Sequence, residues 1–452
     1  MPVGTEVAPA KMRKLAAAAV FATTLEWFDF LIYATAAALV LGRQFFPSAD
    51  PVAGTLASFA TFAVGFVARP IGGIVAGHVG DRFGRKPPLV AAMLVMGIAT
   101  FAVGILPPYA SIGVWAPVLL VVARLVQGLG VGAQWGGAAL LLVEHAPTKH
   151  RGYYGSLVQT GAVAGAVAGN LFFLILTATM STEAFDSYGW RIPFLSGLLL
   201  VGIGIYVQLK IEDTPVFHEL RERSAAAAKE AGIRKAPIVE AVRHHGLAIV
   251  QAAGAFFVVN AVFYILISGL LGYATTEVGM SRTSILICVM VAGLTQVITM
   301  PFFGALTDRM GTRKKLYLIG CVSMAVFAFP LFWLVDTGSV PLVLLALVIA
   351  FTIHATMYGP QATLYAEMFP ADVRFSGASL GYQAASVLAG GLAPFIMTAL
   401  LAATGASWSV AVYIIACAAI TFVSVATIKE RYRRDLYEVA APREVPLRAR
   451  EQ

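Results

Sequence analysis

Two carboxylates, Glu26 and Asp29, stand near the middle of the first long apolar run of the chain, Leu15 to Gly42. An ionised carboxylate at the centre of a bilayer costs several kcal/mol, so a chain that keeps two there uses them. Three residues apart, they share one helix face with Tyr33 a further turn along, and that stripe must face protein or water. Arg69 and Arg124 stand in the second and fourth apolar runs. At 1.5 Å of rise per residue, Asp29 lies roughly 22 Å and Glu26 roughly 18 Å above Lys14, Arg124 roughly 14 Å below Trp115, and Arg69 roughly 18 Å above Asp81. All four therefore reach mid-membrane depth, two negative charges against two positive. Burial favours the neutral acid and a guanidinium favours the carboxylate, so such a set can exchange a proton as water gains or loses access.

The elements that must hold these groups are transmembrane helices. Apolar residues make up 59% of the chain and charged residues 12%, with a mean hydropathy of +0.80. Runs long enough to cross a bilayer fall at roughly 14–42, 53–78, 87–107, 113–143, 153–180, 190–209, 247–275, 283–306, 315–335, 340–366, 376–403 and 407–428. Of the 32 lysines and arginines, all but Arg43, Arg69, Arg124, Arg191 and Arg282 lie in the termini and the even-numbered connections. Positive loops stay inside, which predicts both termini in the cytoplasm. Topology thus accounts for the net charge of +8 and leaves nothing for a nucleic-acid partner to explain. The length of the first run, its two acids and the eleven runs behind it argue against a cleaved signal. Cys288, Cys321 and Cys417 have no paired spacing and read as small core residues.

The longest polar stretch, Lys210 to His245, divides the runs into two sets of six. The expected organisation is a six-helix half over 1–209, a cytoplasmic linker over 210–246, a second half over 247–428 and a cytoplasmic tail over 429–452. Gly80-Asp81-Arg82-Phe83-Gly84-Arg85-Lys86 recurs as Thr307-Asp308-Arg309-Met310-Gly311-Thr312-Arg313, an offset of 227. Glu144, Arg151 and Gln159 recur as Glu367, Arg374 and Gln383, at offsets of 223, 223 and 224. Two landmarks with nearly one offset mark a duplicated six-span unit, an arrangement that holds substrate between halves near the midplane.

Gly77-His78-Val79-Gly80-Asp81-Arg82-Phe83-Gly84-Arg85-Lys86 resembles the loop signature of the major facilitator superfamily. Glu26-Trp27-Phe28-Asp29-Phe30, Phe66-Val67-Ala68-Arg69-Pro70, Arg124-Leu125-Val126-Gln127-Gly128, Gly189-Trp190-Arg191-Ile192-Pro193-Phe194 and Glu367-Met368-Phe369-Pro370 resemble its metabolite:proton symporter branch. Within that branch Gly54-Thr55-Leu56-Ala57, Trp135-Gly136-Gly137-Ala138-Ala139-Leu140-Leu141 and His354, thirteen residues before Glu367, are closest in pattern to shikimate porters. The resemblance implies an all-α membrane protein of twelve transmembrane helices in two six-helix halves, the major facilitator fold. It also implies that Gly77, Asp81, Arg82, Gly84, Arg85 and Lys86, with Glu144 and Arg151, and Asp308, Arg309, Arg313, Glu367 and Arg374 in the second half, form a charge latch that clasps the halves. A loop that only fixes topology is the plainer alternative.

Asp29 and Arg124 resemble the acid and arginine of proton-coupled sugar porters, which makes Asp29 the expected proton carrier, Glu26 its rival, and Arg124 the group that sets the carrier's affinity. Fixed salt bridges are the alternative. Arg69 suits a substrate carboxylate, because its fork binds one bidentately and never loses its charge; otherwise it neutralises Glu26. Gln134 stands where the branch usually has glutamate, and it cannot carry a proton. Gln127, Gln134, Gln159, Asn260, Tyr264, His354, Tyr358 and Gln383 are the further candidate substrate contacts, with a packed, hydrogen-bonded core residue the plainer reading of His354. The glycines at 161, 165 and 169 suit close helix approach.

No nucleotide loop, metal cluster or triad spacing points to an enzyme or a cofactor. The expected function is import of a small organic acid, shikimate-like or a di- or tricarboxylate, by proton symport with alternating access, in a multi-pass bacterial inner-membrane protein. A proton-coupled importer of a zwitterionic osmolyte and a non-transporting nutrient receptor on the same fold are the alternatives. The partners implied are a small-molecule substrate, protons and the lipid bilayer, without nucleic acid, and with a monomer as the working unit.

Overall fold

Inside a bilayer every backbone N–H and C=O must find its partner within the segment, which leaves long apolar runs with the helix as their solution. In the computed structural model, which describes residues 9–47, 50–83, 86–134, 137–212, 238–371, 373–432 and 436, the twelve runs form twelve helical passages. The first half comprises α1 (Pro9–Ala36, continued by Ala37–Leu41 and Gly42–Phe45), α2 (Pro51–Phe83), α3 (Lys86–Ile105), α4 (Trp115–Gln134, followed by Gly137–His145), α5 (Arg151–Thr179) and α6 (Ile192–Glu212). The second comprises α7 (Ile238–Ala255, Phe257–Tyr264, Ile265–Gly269 and Leu270–Thr276), α8 (Arg282–Met310), α9 (Lys314–Val335), α10 (Val340–Met368), α11 (Arg374–Ala385, Ser386–Gly391 and Ala393–Thr404) and α12 (Trp408–Thr427). Among the described residues, ten helices are by themselves long and apolar enough to cross a membrane, with Val90–Ile105 of α3 a shorter apolar one. The backbone leaves helical angles at His245, so the stretch before it belongs to the connection and not to the span.

Each half packs around its own pairs. In the first, α1 lies on α5 and α6, α2 on α4, and α3 on α4 and α6; in the second, α7 lies on α11 and α12, α8 on α10, and α9 on α10 and α12. The halves meet where α5 runs along α8 and α10, and where α2 meets α11. The duplication is visible in the backbone. α1 widens into a π-helical turn at Ala37–Leu41, and α7 does so at Ile265–Gly269, 228 residues later. These two turns touch one another across the halves. Beside them the Ser268 hydroxyl donates to the Ala34 carbonyl at 2.8 Å.

The two ends of the bundle are named here by their contents. The latch end carries the start of α1 and the end of α12, and the far end carries the opposite loops. At the far end Asp186, in the short helix Thr182–Ser187, accepts from Arg282 of the second half at 2.8 Å and pairs with Arg43 at 3.2 Å. At the latch end the halves are bridged as well.

The glycine stripe of α5 lies on α1. A Cβ at Gly165 would stand 2.7 Å from both the Phe28 nitrogen and the Thr24 carbonyl oxygen, backbone atoms that have nowhere to retreat. Gly165→Ala is therefore expected to destabilise the fold by about 1–3 kcal/mol, the cost of overpacking, read as a lower unfolding temperature in detergent. Gly202→Ala on α6, where a Cβ meets nothing within 4 Å, is the matched control and leaves that temperature unchanged.

Candidate functional site

Glu26 and Asp29 lie on α1, Arg69 on α2 and Arg124 on α4. Asp29, Arg69 and Arg124 are buried and Glu26 is half-buried. An aromatic wall separates the arginines. The Arg69 guanidinium lies 4.1 Å from the Phe30 ring centre and 4.0 Å from that of Phe66. The Arg124 guanidinium lies 4.8 Å from Phe30 and 4.0 Å from Tyr33. Ring faces carry negative potential, so a desolvated guanidinium gains about 2 kcal/mol or more from such a seat. Tyr264 of α7 closes the wall from the other half, with its ring 5.5 Å from Phe62 and 5.2 Å from Phe66.

Around Asp29 the hydrogen bonds run in one direction. Its Oδ2 accepts from the Thr100 hydroxyl of α3 at 2.7 Å. Thr100 in turn accepts from the Gln127 amide nitrogen at 2.6 Å, and that nitrogen also reaches Asp29 Oδ2 at 3.4 Å. The Gln127 carbonyl oxygen accepts from Arg124 Nη1. Asp29 and Arg124, read from the sequence as the proton carrier and the group that sets its affinity, are joined not directly but through Gln127. Gln127 itself, expected at the substrate, has both ends of its amide engaged within the first half. Neither correction was legible in the sequence, because an amide side chain gives no sign of which neighbours it joins.

The interface between halves gathers a second polar set. The Arg69 Nε and Nη2, Asn260 Nδ2 and Gln383 Oε1 are buried and, among the described residues, meet no partner within hydrogen-bond distance, and the buried Tyr264 hydroxyl lies against the Arg69 guanidinium. Arg69 acts electrostatically on both Tyr264 and Glu26. Next to them, Trp27, Phe256, Val259, Asn260, Phe263, His354 and Tyr358 line a small cavity with room for about one water. Towards the latch end the Gln159 amide donates across the halves to Gln361 at 3.2 Å. His354 offers the cavity only its flank. Its Nε2 donates to the Val259 carbonyl at 2.8 Å and its Nδ1 accepts from the Gln296 amide at 2.5 Å. Both ring nitrogens are therefore engaged in tying α10 to α7 and α8, which corrects the expectation of a substrate ligand in favour of the packed, hydrogen-bonded one.

At the latch end the second copy of the motif works across the halves. The Asp308 carboxylate, at the end of α8, accepts from the Gly152 and Tyr153 amides at 2.9 and 3.0 Å. Those are N-terminal amides of α5, which lack partners inside their own helix and carry the positive end of its dipole. Asp308 also pairs with the fully buried Arg313 at 2.6 Å, and Arg313 reaches Glu367 at 3.5 Å. Arg374 pairs with Glu144 of the first half at 2.9 Å, and the Thr363 hydroxyl donates to the Arg151 carbonyl at 2.9 Å. Arg309 is exposed and stands outside these buried pairs. Gly77, Asp81, Arg82, Gly84, Arg85, Lys86 and Gln134 lie outside the residues whose side chains are described. The segment after α12, read from the sequence only as a cytoplasmic tail, crosses the latch. Glu430 accepts from the Thr312 hydroxyl at 2.7 Å and the Lys314 amide at 3.0 Å, the Tyr432 hydroxyl donates to the Asp308 carbonyl at 2.8 Å, and Arg374 donates to the Leu436 carbonyl at 2.5 Å.

Asp308→Ala leaves the α5 amides without their acceptor and Arg313 with one carboxylate fewer, and it should open the latch end. With the native cysteines replaced and a reporter Ala362→Cys added, alkylation from that end is expected to rise about tenfold or more, from the roughly 1.5–3 kcal/mol of a charge-assisted hydrogen bond. Unchanged labelling would show that the contact does not hold the closed state.

Comparison with known proteins now places this geometry. A family model described as Major Facilitator Superfamily matches residues 19–381 and 255–449. The Shikimate transporter of Escherichia coli (strain K12) is 38% identical over 425 residues, covering 94% of this chain and 96% of the relative. The Inner membrane metabolite transport protein YhjE of the same strain is 39% identical over 427 residues, covering 94% and 95%. The crystal structure of a D-xylose-proton symporter superposes with a TM-score of 0.70 at 18% identity, over 94% of this chain and 99% of that one, which speaks for the fold alone. Twelve helices in two duplicated halves, closed around a buried polar centre and matched along almost their whole length, make this chain a multi-pass membrane transporter that belongs to the Major Facilitator Superfamily.

Proposed function

We propose that this protein imports a small organic acid across the bacterial inner membrane by proton symport, with alternating access between the two halves. The observation that carries the reading is the buried Arg69 guanidinium with two nitrogens free of hydrogen bonds, facing the Tyr264 hydroxyl and lying within the electrostatic reach of Glu26. A guanidinium held this way is a receptor for a carboxylate, and donors from both halves let one bound anion hold the halves together. Asn260, Tyr358 and Gln383 supply neutral contacts beside it. The likeness to a shikimate transporter supports a hydroxylated monocarboxylic acid as the class to test first.

In this reading Asp29 carries the proton, and Glu26, freed from Arg69 by the arriving carboxylate, is the second acid. The latch end, where the lysines and arginines of the connections gather, faces the cytoplasm. The moving halves are residues 1–209 and 247–428, joined by 210–246, with 429–452 as tail, and a single chain suffices. The latch pairs at one end and Asp186–Arg282 at the other are then the two gates, which open in alternation.

Proton coupling is tested in vesicles. Uptake is expected to follow an inward proton gradient and collapse with a protonophore, whereas persistence in the protonophore, or a requirement for sodium, would sink symport. Asp29→Asn should abolish accumulation and keep substrate counterflow, which needs no deprotonation of the carrier. Loss of both would move Asp29 into the substrate site.

Substrate recognition is tested by calorimetry with shikimate, citrate, 2-oxoglutarate and glycine betaine, and with a neutral ester of the binder. Arg69→Lys keeps the charge and loses the planar fork, so affinity for the carboxylate is expected to fall about tenfold or more, on the order of 1.5–3 kcal/mol. If Arg69→Lys binds acid and ester as the unmodified protein does, Arg69 is not the carboxylate receptor.

A further inference from the structure

We infer that Thr100 and Gln127 are positioning residues for proton coupling, forming a one-way hydrogen-bond relay from Arg124 to Asp29 that is charge-assisted at its carboxylate end only while Asp29 is ionised. The direction of the relay follows from chemistry. A guanidinium only donates, so the Gln127 atom it meets must be Oε1, which turns Nε2 towards Thr100 and Asp29. Thr100, accepting from Nε2, has its own proton left for Asp29 Oδ2. Each link therefore donates towards the carboxylate.

The other oxygen of Asp29 is set apart for a proton. Oδ1 is buried and, among the described residues, meets no donor. It rests against Gly197 of α6, where a Cβ would stand 2.8 Å from it. A proton arriving from water can thus bind Oδ1 while Oδ2, now a carbonyl oxygen, still accepts from Thr100. No other bond changes. The change is one of strength, because a hydrogen bond to a carboxylate is about twice as strong as one to a neutral oxygen. Protonation thereby loosens the tie between α1, α3 and α4 on the far side of the Phe30 and Tyr33 rings from Arg69. The groups around Asp29 allow that reading. Arg124 of α4 is the charge that acts on it; Tyr33 and Glu26 share its helix, and Arg69 of α2 lies across the Phe30 ring. From α3 and α5 the neighbours of this stretch of α1 are the uncharged Thr100, Gly165, Gly169 and Asn170, and from α6 the contact is Gly197.

The inference rests on the reading of Asp29 as proton carrier, and the test separates the two. The pH midpoint of proton-driven uptake is measured for Thr100→Val, Thr100→Ser and Gln127→Leu, with Asp29→Asn alongside. Thr100→Val keeps the shape and removes the donor, so the midpoint is expected to move to higher pH by about one unit, the size of one charge-assisted bond. Gln127→Leu, which cuts the relay on the Arg124 side, should move it the same way, and Thr100→Ser, which keeps the hydroxyl, should restore it. If Asp29→Asn loses accumulation while all three relay variants keep the original midpoint, the relay is wrong and the carrier stands. If Asp29→Asn still accumulates substrate, the carrier reading falls and the relay with it. Should Thr100→Val fail to fold, Gln127→Leu and Thr100→Ser decide the matter alone.

Discussion

An arginine at mid-membrane depth cannot shed its charge and cannot leave, and the centre of this transporter is built around two of them. Arg69 and Arg124 are wholly inside the protein, where a charge without compensation costs several kcal/mol. The chain answers with aromatic faces and with carboxylates held at different distances. Phe30 lies against both guanidiniums, so the two cations share a wall contributed by the same helix that carries Glu26 and Asp29.

The compensation is uneven, and function follows from the unevenness. Arg124 is tied into the first half through Gln127 and the Phe62 carbonyl, whereas Arg69 keeps hydrogen-bonding capacity at the interface. One arginine is therefore engaged within the first half, and the other faces the interface between halves. Closing that space needs donors and acceptors from both sides, and the second half offers Tyr264 and Asn260 at matching depth. In the proposed function a substrate anion completes the set, and its binding then draws the halves together as rigid bodies.

At the ends of the bundle the same economy uses helix termini in place of buried pairs alone. Asp308 meets the orphan amides of α5, so one carboxylate answers both a helix dipole and Arg313. The Gly152 backbone lies so close to α8 that a Cβ there would stand 2.4 Å from the Gly304 carbonyl oxygen. The Asp186–Arg282 pair at the other end is more exposed, and screening by water makes it the weaker of the two.

The sequence by itself determined the number of helices, the duplication, the family resemblance and the helices that carry the four central charges. Each of these rests on local composition, helix rise or a repeated spacing. It also singled out Asp308, Arg313, Glu367, Arg374 and Glu144, because the duplication supplies two copies to compare. Tertiary structure alone decided which partners those groups meet. Gln127 between Asp29 and Arg124, Thr100 beneath the carboxylate, the two nitrogens of His354 engaged by Val259 and Gln296, the Asp186–Arg282 bridge and the path of Glu430, Tyr432 and Leu436 over the latch all join residues far apart in the chain. Helix periodicity fixes the face a side chain occupies within its own helix. The rotation of that helix against its neighbours is set by packing of all twelve together, and hydrogen-bond partners follow from that rotation.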